Sequence, residues 1–100
     1  MAEEDITFEH NINHSDYKIL IVDDVMSNVL LLKILLTNEK FKVCTASNGT
    51  QCIEVANSEK PDLILLDDMM ADISGFATAK MLQSKPETAD IEIIILTALN

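Results

Sequence analysis

An α/β fold, with one parallel sheet covered by helices on both faces, is predicted from three features of the 100-residue chain. Short apolar, β-branched runs recur; a stretch of helix formers follows each of the first three; and two of the runs end in paired aspartates. Strands that are apolar almost throughout suit a sheet buried on both faces, and strand–helix alternation is how a chain builds a parallel one.

The elements follow in order. Residues 1–16 (MAEEDITFEHNINHSD) are polar and acidic without periodicity and form an N-terminal extension, leaving residues 17–100 as the domain. Tyr17–Val22 (YKILIV) is the first strand, ended by Asp23 and Asp24. Ser27 and Asn28 are residues that cap helices, and Val29–Leu36 (VLLLKILL) is a helix with no breaker. Phe41–Ala46 (FKVCTA) alternates as a second strand and closes on the turn Ser47-Asn48-Gly49. Thr50–Asn57 is a short helix stopped before Pro61, and Leu63–Leu66 is a third strand running into Asp67 and Asp68. After a loop to Gly75, Phe76–Gln83 is a helix that Pro86 terminates, and Ile91–Leu96 (IEIIIL) is a fourth strand ending at Thr97.

Composition narrows the function. With 48% hydrophobic residues and only 2 Gly and 2 Pro, the chain can bury a core in a single domain. Its 7 basic against 17 acidic side chains give a net charge of −10, a field that repels nucleic acid and anionic membranes and attracts cations. No apolar run approaches the roughly 20 residues of a membrane span, and no secretory signal is visible. Cys44 and Cys52 stand in no metal-ligand spacing and are expected as buried thiols, so the cytoplasm is the expected compartment. His10 and His14, four apart beside Glu9, are a chance spacing in a polar tail rather than a metal site, and Met69, Met70 and Met81 are expected to pack.

The paired aspartates carry the chemistry. In such sheets ligands bind outside the C-terminal ends of the strands. If the first and third strands are neighbours, Asp23, Asp24, Asp67 and Asp68 converge there. Two unit charges 4 Å apart repel by about 4 kcal/mol at an effective dielectric of 20, so the cluster needs a proton or a cation. Mg²⁺ suits it: the ion takes oxygen ligands, typically one or two carboxylates with phosphate oxygens. No Gly-rich nucleotide loop is present, which leaves a phosphoryl group carried by an aspartate as a mixed anhydride. Thr97, at the same edge beside the small Ala98, is placed to donate to it, although a threonine at a strand end is usually only a β-former or a cap.

These residues resemble the receiver domain of two-component response regulators. The resemblance covers Tyr17 to Asn100 and rests on "ILIVDD", "ASNG", "PDLILLD", "MMADISGF" and "ETADIEIIILTA" in that order. It implies a flavodoxin-like doubly wound sheet of order 2-1-3-4 and a non-enzymatic role in two-component signalling. By the same resemblance Asp67 is the acceptor of a phosphoryl group from a sensor histidine kinase. Asp24 is then a direct Mg²⁺ ligand beside Asp67, Asp23 acts mainly through water, Met69 lends its backbone carbonyl, and Thr97 contacts the phosphoryl group as a switch.

Three departures accompany the match. Asp68 stands where the family is usually apolar, and Ala71 where it usually has proline. The chain reaches Asn100 just after the fourth strand, so the family's last α-β-α part and its lysine are expected to be lacking; Lys60, Lys80 and Lys85 do not match that lysine. The exposed edge IEIIIL and a first helix apolar nearly all round then predict a homodimer through the fourth strand, the first helix or both. Two other functions compete. Haloacid-dehalogenase-type phosphatases need a second aspartate two residues after the nucleophile, where this chain has Met69. A receiver remnant that takes no phosphate and serves as a dimerisation scaffold is the alternative.

Overall fold

The computed structural model describes residues 15–97 and contains β1 (Lys18–Val22), α1 (Met26–Asn38), β2 (Lys42–Ala46), α2 (Gly49–Glu59), β3 (Leu63–Asp67), α3 (Gly75–Gln83) and β4 (Glu92–Leu96). The elements are those expected, each within one to three residues of its predicted bounds. All pairings are parallel and the sheet order is β2-β1-β3-β4.

Register places everything that follows. Val22 lies level with Ala46 on one side and Leu66 on the other, so Asp23 and Asp67 are the next residues on adjacent strands. Asp67 in turn lies level with Leu96, one residue before Thr97. Because side chains alternate along a strand, Ile19, Ile21 and Asp23 share a face with Leu63, Leu65 and Asp67 and with Ile94 and Leu96.

The two faces are covered unequally. On one, Leu20, Val22, Ile64 and Leu66 pack with Cys52 and Ala56 of α2 and Ala79 and Leu82 of α3, and Ile93 and Ile95 lie against this cluster. Among the described residues only α1 covers the other face, over β1 and β2, where Ile19, Ile21 and Val29 are buried. The half of that face formed by β3 and β4 is open: Ile94 keeps 46% and Leu96 38% of its surface in solvent, beside Leu31 at 59% and Ile34 at 53%. The expectation that every strand is buried on both faces therefore holds for β1 and fails for β4.

Two further expectations are corrected. Ser27 and Asn28 do not cap α1: the helix starts a turn earlier behind Val25, which has no side chain to do so. Asp23 serves that end instead, accepting from Val25 N (2.9 Å) and from Asn28 Nδ2 (3.1 Å). Of the three methionines expected to pack, only Met70 lies against the core, while Met69 and Met81 are exposed. Both helices of the well-packed face are capped by side chains, α2 by Asn48 and α3 by Ser74. His10, His14 and Ala98 lie outside the described residues. So does all but the end of the segment assigned to the extension. Among the described residues no helix is long and apolar enough to cross a membrane.

Packing inequality has a measurable consequence. Leu20→Ala, at a side chain with no exposed surface, costs about 2–5 kcal/mol. Leu30→Ala, at a half-exposed position of α1, changes stability by about 0.5 kcal/mol or less. Urea unfolding of the two variants checks this, and equal losses would contradict the packing described.

Candidate functional site

Asp23, Asp24 and Asp67 meet at the C-terminal rim of the sheet, each offering a carboxylate oxygen within 4.8 Å of the others. Asp23 is buried, Asp67 partly buried and Asp24 exposed. Asp23 is held by its two bonds to the start of α1, while β3 delivers Asp67 from a strand whose neighbours Ile64 and Leu66 are fully buried. Beside them opens a pocket of about 250 Å³ lined by Asp23, Asn28, Leu31, Leu32, Asp67, Leu96 and Thr97. Thr97 thus lies with the carboxylates. Met69 is adjacent, its N–H making a long 3.4 Å contact to Asp67 Oδ1.

Asp68 does not join the cluster. Alternation turns it to the opposite face, where its Oδ1 is buried without a hydrogen-bond partner among the described residues, and its N–H donates to Leu96 O (3.2 Å). The expectation that all four aspartates converge is corrected on that ground.

Electrostatics match the crowding. Burial is the first cause that pushes the Asp67 carboxyl above its ordinary range; the nearby charges of Asp23, Asp68 and Asp24 push the same way, and the Met69 N–H opposes them. None of the residues lining the pocket is basic. Three oxygen donors this close, with no lysine or arginine among them, suit a hard divalent cation such as Mg²⁺ better than a soft metal.

Four contributors went unread in the sequence. Asn28 orients Asp23 rather than capping a helix, a role visible only once α1 is known to start at Met26. Leu31 and Leu32 form part of the pocket wall, a place that the near-uniform apolarity of α1 does not single out. Asp72 accepts from the backbone of Thr50 and Gly49, which holds its carboxyl well below the usual carboxylate range; those partners lie over twenty residues upstream, so no local pattern announces them.

A raised Asp67 carboxyl also sets a sign. The fold holds that proton more tightly than the unfolded chain, so its favourable contribution is complete below about pH 3.9 and is lost as pH rises through the folded value. Asp67→Asn therefore raises the Tm of the metal-free protein at pH 7 and flattens this part of the stability–pH curve. A lower Tm for the variant would show that Asp67 is not held against its neighbours' charge.

Known proteins share this arrangement. The family model described as the response regulator receiver domain matches residues 19–100. Among curated relatives, Response regulator PleD of Caulobacter vibrioides is 41% identical over 83 residues, which are 83% of this chain and 18% of that protein. Protein PilH of Pseudomonas aeruginosa is 36% identical over 80% of this chain and 66% of its own length. The chain thus spans less than two thirds of these relatives. In three dimensions it is similar to the N-terminal domain of a response regulator receiver protein from Methanoculleus marisnigri JR1 (TM-score 0.81, 37% identity, 83% of this chain and 68% of that one). It is also similar to response regulator TrrA of Thermotoga maritima in complex with Mg²⁺-BeF (TM-score 0.77, 37% identity, 84% and 71%). With this sheet order, the rim of aspartates and the matched family model, the chain belongs to the response regulator receiver domain family.

Proposed function

We propose that the chain is the phosphoacceptor of a two-component signalling route, taking a phosphoryl group onto Asp67 from a histidine of a sensor kinase in the cytoplasm. The observation that carries the reading is the three-carboxylate rim. An Asp67 carboxylate oxygen attacks phosphorus, the phosphorus–nitrogen bond to the kinase histidine breaks, and the imidazole leaves with the electron pair. Asp23, Asp24, Asp67 and the Met69 carbonyl would hold Mg²⁺, which when bound would supply Lewis-acid neutralisation of the phosphoryl oxygens. Asn28 keeps Asp23 oriented, and the Thr97 hydroxyl donates to a phosphoryl oxygen. Leu31, Leu32 and Leu96 give the pocket an apolar wall with no basic group. In this role the chain is modified rather than turning over a substrate. Two free thiols suit a reducing compartment, and the charge of −10 argues against contact with nucleic acid or membrane.

The same reading includes self-association. Among the described residues β4 pairs on one side only, and the open face beside it is apolar. A second copy fits that edge by antiparallel pairing about Ile94, which sets Glu92 against Leu96 rather than against another carboxylate. It also carries the two aspartate rims to opposite ends, whereas a parallel pairing would bring them together.

Incubation with Mg²⁺ and acetyl phosphate is expected to yield one phosphoryl adduct by intact mass, absent in Asp67→Asn and after chelation; an adduct that survives in Asp67→Asn would overturn the assignment. Mg²⁺ at 100 times its Kd is expected to stabilise the protein by about 2.7 kcal/mol, a Tm rise on the order of 10 °C. Sedimentation is expected to give twice the chain mass of 11.1 kDa, reverting to the single mass in Ile94→Lys. A wild type that sediments as a single chain at high concentration would remove the pairing.

A further inference from the structure

The loop between β3 and α3, residues 68–74, carries Met69 past the carboxylate rim and is tied down at two places. At its base Gly75 N donates to Asp68 O (3.1 Å). A Cβ on Gly75 would sit 2.3 Å from Asp67 O, so the chain returns hard against the strand end it left. At its far end Asp72 reaches the first turn of α2. One carboxylate oxygen accepts from Gly49 N (3.0 Å) and the other from Thr50 N (2.9 Å) and Thr50 Oγ1 (2.8 Å). The first oxygen also accepts from Ile73 N (2.7 Å). Ile73 is pressed onto the same turn, for a Cβ on Gly49 would meet Ile73 Cγ1 at 2.2 Å and Thr78 Oγ1 at 2.5 Å.

This contact exceeds what α2 needs for a cap. Asn48 already accepts from Gln51 N (2.8 Å), so Asp72 adds a carboxylate at the positive end of the helix dipole and takes amide donors that Asn48 leaves free. What the extra bonds constrain is the loop. Ala71, unlike a proline, leaves φ unrestrained there, and although Met70 lies against the core and Ile73 against α2, Met69 and Ala71 are exposed and lack packing of their own. The Asp72 bonds to α2 supply the missing restraint.

We infer that Asp72 is a positioning residue for the metal site: by clamping the loop to α2 it sets where the Met69 carbonyl stands relative to Asp23, Asp24 and Asp67. This rests on the receiver reading above and adds to it a residue that touches neither metal nor phosphoryl group. Outer partners that orient metal ligands commonly change affinity by about 10–100-fold when removed, and the clamp belongs in that class.

Mg²⁺ titration by calorimetry, paired with thermal unfolding, tests it on the whole chain. Asp72→Ala is expected to weaken Mg²⁺ binding by about tenfold or more, with Asp72→Asn, which keeps one acceptor oxygen, in between. Asn48→Ala is the structural control: it removes the other side-chain cap of α2, lowers Tm and leaves Mg²⁺ affinity unchanged. Thr50→Val, which removes only the hydroxyl bond, gives a small loss in a protein certain to fold if Asp72→Ala does not. Wild-type affinity in Asp72→Asn, or losses in Asn48→Ala equal to those in Asp72→Ala, would overturn the clamp alone. A wild type that binds no Mg²⁺ overturns the receiver reading and the clamp together.

Discussion

Three carboxylates are forced together because β1 and β3 are adjacent, parallel and in a register that sets Val22 level with Leu66. Nothing local to Asp23, Asp24 or Asp67 asks for the encounter. The strands that deliver them are among the most buried parts of the chain, with Leu20, Ile64 and Leu66 fully enclosed, so hydrophobic burial holds the charges where mutual repulsion opposes them. Relief must come from a proton or from a cation, and the raised Asp67 carboxyl marks the first of these. A site built this way is unstable in the charged state until something positive arrives.

The rest of the molecule divides into a supported face and an open one. Cys52, Ala56, Ala79 and Leu82 hold α2 and α3 on the supported face, and on that side Asp72 ties the loop next to the site to the start of α2. On the open face, among the described residues, α1 covers β1 and β2, while Ile94, Leu96, Leu31 and Ile34 stay exposed, with Leu31 and Leu96 lining the pocket beside Asp67. The rim therefore joins a rigid side to a side still able to accept further apolar surface.

Much of this was legible before coordinates. Length, flanking breakers and, in YKILIV and IEIIIL, β-branching separated the strands from the helices, since a short apolar run has no telling period of its own. The aspartates at two strand ends pointed to one rim once adjacency of those strands was granted. What stayed hidden depended on geometry that no local pattern encodes. Asp67 and Asp68 are chemically identical in sequence, and only the two-residue period of a strand, counted from a known end, sends them to opposite faces. Asn28 looked like a cap because asparagine is a capping type; Asp23 had already taken that work. Asp72 looked like an ordinary loop carboxylate because both of its backbone donors belong to a helix far upstream. The even burial expected of all strands failed at β4 because an apolar run reports what a strand could bury, while coverage depends on which helices cross it.

The central claim is that Asp67 is held above its ordinary carboxyl range by burial and by Asp23, Asp68 and Asp24, and that a divalent cation reverses this. Carbon-13 NMR titration of the Asp67 carboxyl, without and with Mg²⁺, measures it directly. The account predicts a midpoint above the ordinary aspartate value of about 3.9 in the metal-free protein and a clear fall when Mg²⁺ is present. A midpoint at or below the ordinary value that Mg²⁺ leaves untouched would contradict it.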